Sequence, residues 1–215
     1  MRAWGWSLLA VLPWVGPAES PSLPIRMPSA CAVAVDVRFE ATRRWGAVEW
    51  QLFTRQVERV WTPLGVSICW RSGGGRCDGI ALAVTVTIGE SPIGAAVPGE
   101  TLVVGDITFD GDEPRNEIRL SLAGGRFLVT LATLGGRQIA DWPTGIAERL
   151  LPAVMGLALA HELGHFLFRS KAHARAGLMA ATVHPDDVAR IVFEGDTHGS
   201  GAQALAARAG GCVAR

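Results

Sequence analysis

"AHELGHFLFRSKAHARAGLMAA", residues 160–181, decides how the rest of the chain is read. Two histidines and a glutamate interrupt a run that is otherwise almost wholly apolar. The residues before it, "LLPAVMGLALA", and after it, "FLF", belong to a buried helix. A buried charge without a partner costs several kcal/mol, on the order expected for burying an ion, so these polar groups want a common ligand. On a helix, positions four apart lie about 40° apart around the axis and about 6 Å along it. His161 and His165 can therefore aim both imidazoles at one point, at the reach of Zn–N bonds of about 2.0–2.1 Å. Glu162 projects beside that point without having to ligate. From there it can act on a zinc-bound water as general base and later return the proton to a leaving amine.

A hydrolytic zinc takes three protein ligands and keeps a fourth position open. His173 is the expected third ligand of one catalytic zinc ion. On a continuous helix it would lie about 12 Å beyond His165, out of reach. The helix must then stop between Phe168 and Lys171 and the chain must turn back, although "RSK" contains no glycine. Glu194 in "ARIVFEGD", Asp186 or Asp187 in "HPDD", and His184 are the alternative third ligands. All five histidines, His161, His165, His173, His184 and His198, fall in the last quarter of the chain.

These residues resemble the metzincin zinc metalloproteases, whose pattern is HExxHxxGxxH followed by a tight turn carrying a methionine. Here "HELGHFLFRSKAH" is followed by "GLM", which makes Met179 the counterpart of that methionine. The chain departs from the pattern at two positions. Phe168 stands where the family has its helix-ending glycine, and Lys171 where it has its third histidine, so His173 comes two residues late. The resemblance implies that His161, His165 and His173 are ligands, that Glu162 is the base, and that peptide bonds are cut. It also implies an edge strand that binds extended substrate by main-chain pairing, with residues 101–109 or 116–122 in that place. A gluzincin-type site would use Glu194 instead. A catalytically idle relative that binds zinc or a partner is the alternative of another class, and the intact Glu162 argues against it. The chain contains no tyrosine. Oxyanion stabilisation would then fall to zinc with a backbone N–H, an arginine or His184.

Outside this stretch, periodicity gives the fold class. "AVAVDVRF" (32–39) alternates as a half-buried strand, and "WGAVEWQLFTRQVERVW" (45–61) shifts to helical steps through Trp45, Val48, Phe53, Val57, Val60 and Trp61. "GVSICW" (65–70) alternates again, which completes a strand–helix–strand unit. Strands are expected at 80–88, 101–109 and 116–122, and a helix from Gly145 to Phe168 in which Pro152 either opens or kinks the element. "FLVTLATL" (127–134) fits helix or strand. "HPDDVARIVFEGD" reads as a short helix. The expectation is an α+β chain, α/β-like in its N-terminal part. It forms one zincin-like or metzincin-like domain, residues 19–215, with a twisted mixed sheet, a backing helix and a buried active-site helix.

The first 18 residues, with Arg2 before an apolar stretch and Gly16 and Ala18 near a cut, read as a signal peptide, which implies a secreted or periplasmic protein. Cys31, Cys69, Cys77 and Cys212 then suggest two disulfides, with the Gly-rich turn between Cys69 and Cys77 favouring that pair. Lys+Arg and Asp+Glu balance at 20 each, so nothing points to nucleic acid. A peptide or protein substrate is the expected partner. Residues 150–168 are apolar enough to raise the idea of an intramembrane protease. The alternating strands leave no room for the several spanning helices such an enzyme needs, so no membrane span is expected in the mature chain.

Overall fold

The computed structural model describes residues 33–71, 81–93, 103–174, 177–181, 188 and 192. The chain is mixed α+β, with a five-stranded mixed sheet and three α-helices among the described residues. Strand β1 (Val33–Ala41), helix α1 (Ala47–Trp61) and strand β2 (Val66–Arg71) come first, and β1 and β2 pair in parallel, Val35 opposite Ile68. The expected strand–helix–strand unit is present. Strand β3 (Ala81–Gly89) adds in parallel to the other side of β1, and β5 (Glu113–Ser121) in parallel to β3. Strand β4 (Gly105–Asp110) is antiparallel to β5, so the order is β2-β1-β3-β5-β4 with β4 at an edge. Of the two segments expected to supply an edge strand, the one within 101–109 lies at the edge, and the other lies inside the sheet.

Two expectations change between β5 and the long helix. Strand β5 begins at Glu113, three residues before the alternation suggests, and Leu122 opens a helix, α2 (Leu122–Leu131). The Ser121 hydroxyl caps α2 by accepting from the Gly124 N–H at 3.0 Å. The ambiguous "FLVTLATL" thus divides into the end of α2 and a two-residue strand β6 (Thr133–Leu134), paired with β7 (Arg137–Gln138).

Helix α3 (Thr144–Phe168) is 25 residues long and carries Pro152 in its interior. By length and composition α3 is apolar enough to cross a membrane, with mean hydropathy 1.4, but 78% of that apolar window is buried within the molecule. It is the central core helix. Leu159, Ala160 and Leu163 of α3, with Phe53, Val57 and Trp61 of α1, pack on the sheet face formed by Val35, Val37, Val84, Val86, Ile88, Ile118 and Leu120. The helices thus share one face of the sheet, which is the alternation's prediction for a strand with one buried side. Phe39, Trp45, Trp50, Phe53 and Trp70 form an aromatic cluster, with Phe39 and Trp50 centroids 4.8 Å apart. Val48, assigned by period to the buried face of α1, is instead 64% exposed. It lies in the first turn and lines an open cleft with Glu148, Arg149 and Leu151 of α3. Val188 and Val192 are buried against Val154 and Leu150. The rest of the expected helix around them, the signal segment, Cys31, Cys77 and Cys212 lie outside the described residues, and so does the proposed disulfide pairing.

Helices α1 and α3 approach closely because Gly156 has no side chain. A methyl there would fall on the Phe53 carbonyl oxygen and within 2.9 Å of Gln56 Cβ. Gly→Ala in a helix interior ordinarily stabilises by about 1 kcal/mol, so the sign of Gly156→Ala is diagnostic. We expect a loss of roughly 1–3 kcal/mol from overpacking, read as a lower urea midpoint at unchanged slope. A stabilised variant would show that the two helices are not held this close.

Candidate metal centre

The HELGH residues lie on the last two turns of α3, with Leu163 in the core and Glu162 and His165 buried. His161 and His165 present their Nε2 atoms to each other at 3.0 Å. Beyond Phe168 the helix ends at Arg169, which adopts the left-handed conformation (φ 48°, ψ 45°), and the Arg169 and Ser170 N–H groups both donate to the His165 carbonyl. The turn back occurs within the window the sequence demanded, on an arginine instead of a glycine. Such a residue costs about 1–2 kcal/mol relative to right-handed backbone. It brings His173 Nε2 to 3.3 Å from His165 Nε2. One ligand atom from each of His161, His165 and His173 lies within 4.8 Å of the other two.

The other ring nitrogens explain the orientation. His161 Nδ1 lies 2.6 Å from the Leu178 carbonyl oxygen, and His165 Nδ1 lies 2.6 Å from that of Ser170. A carbonyl only accepts, so in both rings Nδ1 carries the hydrogen and donates it. Burial lowers the pKa of His161 to about 4, and lowers that of His165, against the opposing pull of those carbonyls. Both rings are therefore neutral at neutral pH, with a bare lone pair on Nε2. Two lone pairs facing at 3.0 Å have no hydrogen to share and repel. A cation between them reverses the sign, and ligating histidines are oriented in this way by a hydrogen bond from the second nitrogen. Tetrahedral Zn–N bonds of about 2.0–2.1 Å separate ligand nitrogens by about 3.3–3.4 Å, against 3.0 and 3.3 Å from His165 to its two neighbours here, with all three ligand atoms within 4.8 Å of one another. The residues fit a metal ion.

Glu162 stands beside this cluster, not in it. Its Oε1 is 4.0 Å from His161 Nε2 and its side chain is 8% exposed. Burial, and then the charge of Asp106, raise its pKa to about 8. Strand β4 passes directly against it. A methyl on Gly105 would come within 2.9 Å of Leu120 Cδ2, 3.1 Å of Glu162 Cγ and 3.2 Å of Glu162 Oε1. Asp106, the next residue, is engaged by Arg119 of β5 in a two-pronged pair at 2.9 and 2.5 Å.

Met179 lies under the same helix, 2% exposed, with its sulfur against Gly164. Its turn is closed by the Ala180 N–H donating to the Gly177 carbonyl at 3.0 Å and the Ala174 N–H donating to Met179 O at 2.7 Å. Gly177 has φ 83°, a conformation for which glycine is the natural residue. The turn that buries Met179 thereby also delivers the Leu178 carbonyl to His161.

The structure thus brings together His161, His165 and His173, and places Glu162 at their side. Glu194, Asp186, Asp187, His184 and His198 lie outside the described residues. Sequence reasoning missed the Ser170 and Leu178 carbonyls, because backbone acceptors carry no residue signature. It also passed over Gly105, although a glycine within a strand pattern is a sign of close backbone approach. No family model, no curated protein and no solved structure matches the chain.

Metal binding confined to the folded state adds about 2.7 kcal/mol to stability when free zinc is at 100 times its dissociation constant. We expect an increment of that order when denaturation is followed with zinc and with a chelator. His161→Ala, His165→Ala and His173→Ala should each remove most of it. A His173→Ala protein that keeps the full increment would place the third ligand elsewhere.

Proposed function

We propose that the chain is an exported zinc-dependent metalloendopeptidase of metzincin-like design, with His161, His165 and His173 as ligands and Glu162 as general base. The observation that carries this reading is the convergence of three Nε2 atoms beside a buried carboxylate that remains outside the ligand set. A site built for structure alone needs no fourth, unligated carboxylate.

When bound, zinc supplies a Lewis acid that lowers the pKa of a water at its open position toward about 7. With a metal held by His161, His165 and His173, Glu162 would be placed to accept a proton from water at Oε1 and to return it to the leaving amine. A cation held by the three histidines would favour the carboxylate form that the first step needs, against burial and the neighbouring Asp106 charge, which raise its pKa to about 8. The Ser170 and Leu178 carbonyls keep His165 and His161 as acceptors at Nε2 throughout. Gly105 lets β4 run past Glu162 with no side chain between them. The outer edge of β4 offers backbone N–H and C=O groups to an extended peptide, in line with the edge-strand role that the resemblance implies.

The test is Glu162→Gln, which preserves shape and removes the base. With a casein or peptide substrate, cleavage should fall about 10²- to 10⁴-fold while zinc content stays that of the wild type. A wild-type protein that holds zinc yet cleaves no peptide, with Glu162→Gln indistinguishable from it, would favour the idle zinc-binding alternative.

A further inference from the structure

We infer that Arg169 and Lys171 are positioning residues for the metal centre, which fasten the loop carrying His173 to the tip of the β4–β5 hairpin. This inference rests on the reading of the three histidines as a metal site. The need for such a fastening follows from the sequence. The segment from the end of α3 to His173 has no glycine and is two residues longer than the pattern it resembles. Left to itself, a longer loop spreads His173 over more positions and weakens the site by the entropy of ordering it.

Alternate residues of this loop face opposite ways. Ser170 turns inward, where its carbonyl accepts from His165 Nδ1, while its hydroxyl accepts from the Ala172 N–H at 3.2 Å. Arg169 and Lys171 turn outward, onto the hairpin. Arg169 Nη1 donates to Glu113 Oε1 at 3.1 Å. Lys171 Nζ donates to the Gly111 carbonyl, lies 3.8 Å from Asp112 Oδ1, and stands 5.3 Å from the centre of the Phe109 ring. The partners Phe109, Gly111, Asp112 and Glu113 are consecutive or nearly so, across the turn that joins β4 to β5. The hairpin is paired up to its tip, Phe109 with Pro114 and Asp110 with Glu113, and Gly111 with φ 61° makes its tight turn.

Each contact is exposed, with Arg169 half exposed and Lys171 58% exposed, so each alone contributes little. Their joint effect is on geometry. They hold the two residues flanking Ser170, and so act on His165 through the Ser170 carbonyl and on His173 through the chain. A further consequence is reciprocal: metal bound by His173 should steady the β4–β5 tip.

The experiment measures zinc affinity by chelator competition and the visible spectrum of the cobalt-substituted protein, neither of which requires turnover. Lys171→Met should weaken zinc binding roughly 3- to 10-fold, at or below the usual range for groups that orient ligands because these contacts are exposed. Lys171→Arg should restore it. Arg169→Gly should weaken binding even though it relieves the left-handed backbone, and Arg169→Glu combined with Glu113→Arg should recover what Arg169→Glu loses. The cobalt spectrum should change in the weakened variants and return in the restored ones. Zinc affinity unchanged in Lys171→Met and in Arg169→Gly overturns the inference while the metal site stands. A wild type that takes up no zinc overturns both, and a wild type that binds zinc without peptidase activity leaves this inference intact and removes only the catalytic reading.

Discussion

Two unprotonated ring nitrogens facing each other, with the His173 ring beside them, form the constraint on which the rest of this molecule depends. Imidazoles avoid that arrangement unless something positive lies between them. Here it is imposed from behind, because the Ser170 and Leu178 carbonyls occupy the hydrogen on the far nitrogen of His165 and His161. Those two carbonyls come from different places. One follows the end of α3, and the other sits in the turn that buries Met179. Helix termination and the methionine turn are therefore parts of the site's electrostatics as much as of its shape.

The fold supports this through close approaches that only small residues allow. Gly156 lets α1 cross α3, Gly164 receives the Met179 sulfur, and Gly105 lets β4 lie on Glu162. Each removes a side chain at a point where two elements meet near the C-terminal half of α3. The helix is thereby clasped by α1, by the methionine turn and by the edge of the sheet. A buried carboxylate with a pKa raised to about 8 belongs to such an enclosure, since water that would otherwise solvate its charge is displaced by packed apolar groups.

Much of this was legible in the residues, and the parts that were not have identifiable causes. Alternation and helical period placed β1, α1, β2 and β3 to within a residue or two, because each has one buried face. HELGH announced His161, Glu162 and His165 through the single helical turn between the imidazoles. His173 followed from the need for a third donor and from a helix that had to end in time. Helix α2 was hidden, since it begins directly at the end of β5 and its second half lies in "FLVTLATL", whose apolar residues fit helix or strand alike. Val48 obeyed the period of α1 but faces an open cleft between α1 and the start of α3. The order β2-β1-β3-β5-β4 was out of reach because pairing between distant strands leaves no local trace. Arg169 was the least legible of all. A left-handed residue at a helix end is ordinarily announced by glycine, and this chain uses an arginine held by a strand turn 56 residues away.

Lys171 contributes one more property, which comes from composition. Of the 20 basic residues, it alone is a lysine. Its ammonium group lies on the seam between the histidine loop and the hairpin tip, more than half exposed. An amine-reactive fluorophore would therefore find one side chain in this protein, besides the α-amino group, and that side chain sits two residues before His173, on the tip of the β4–β5 hairpin. The molecule carries a built-in attachment point for an optical reporter at the seam where loop and hairpin meet.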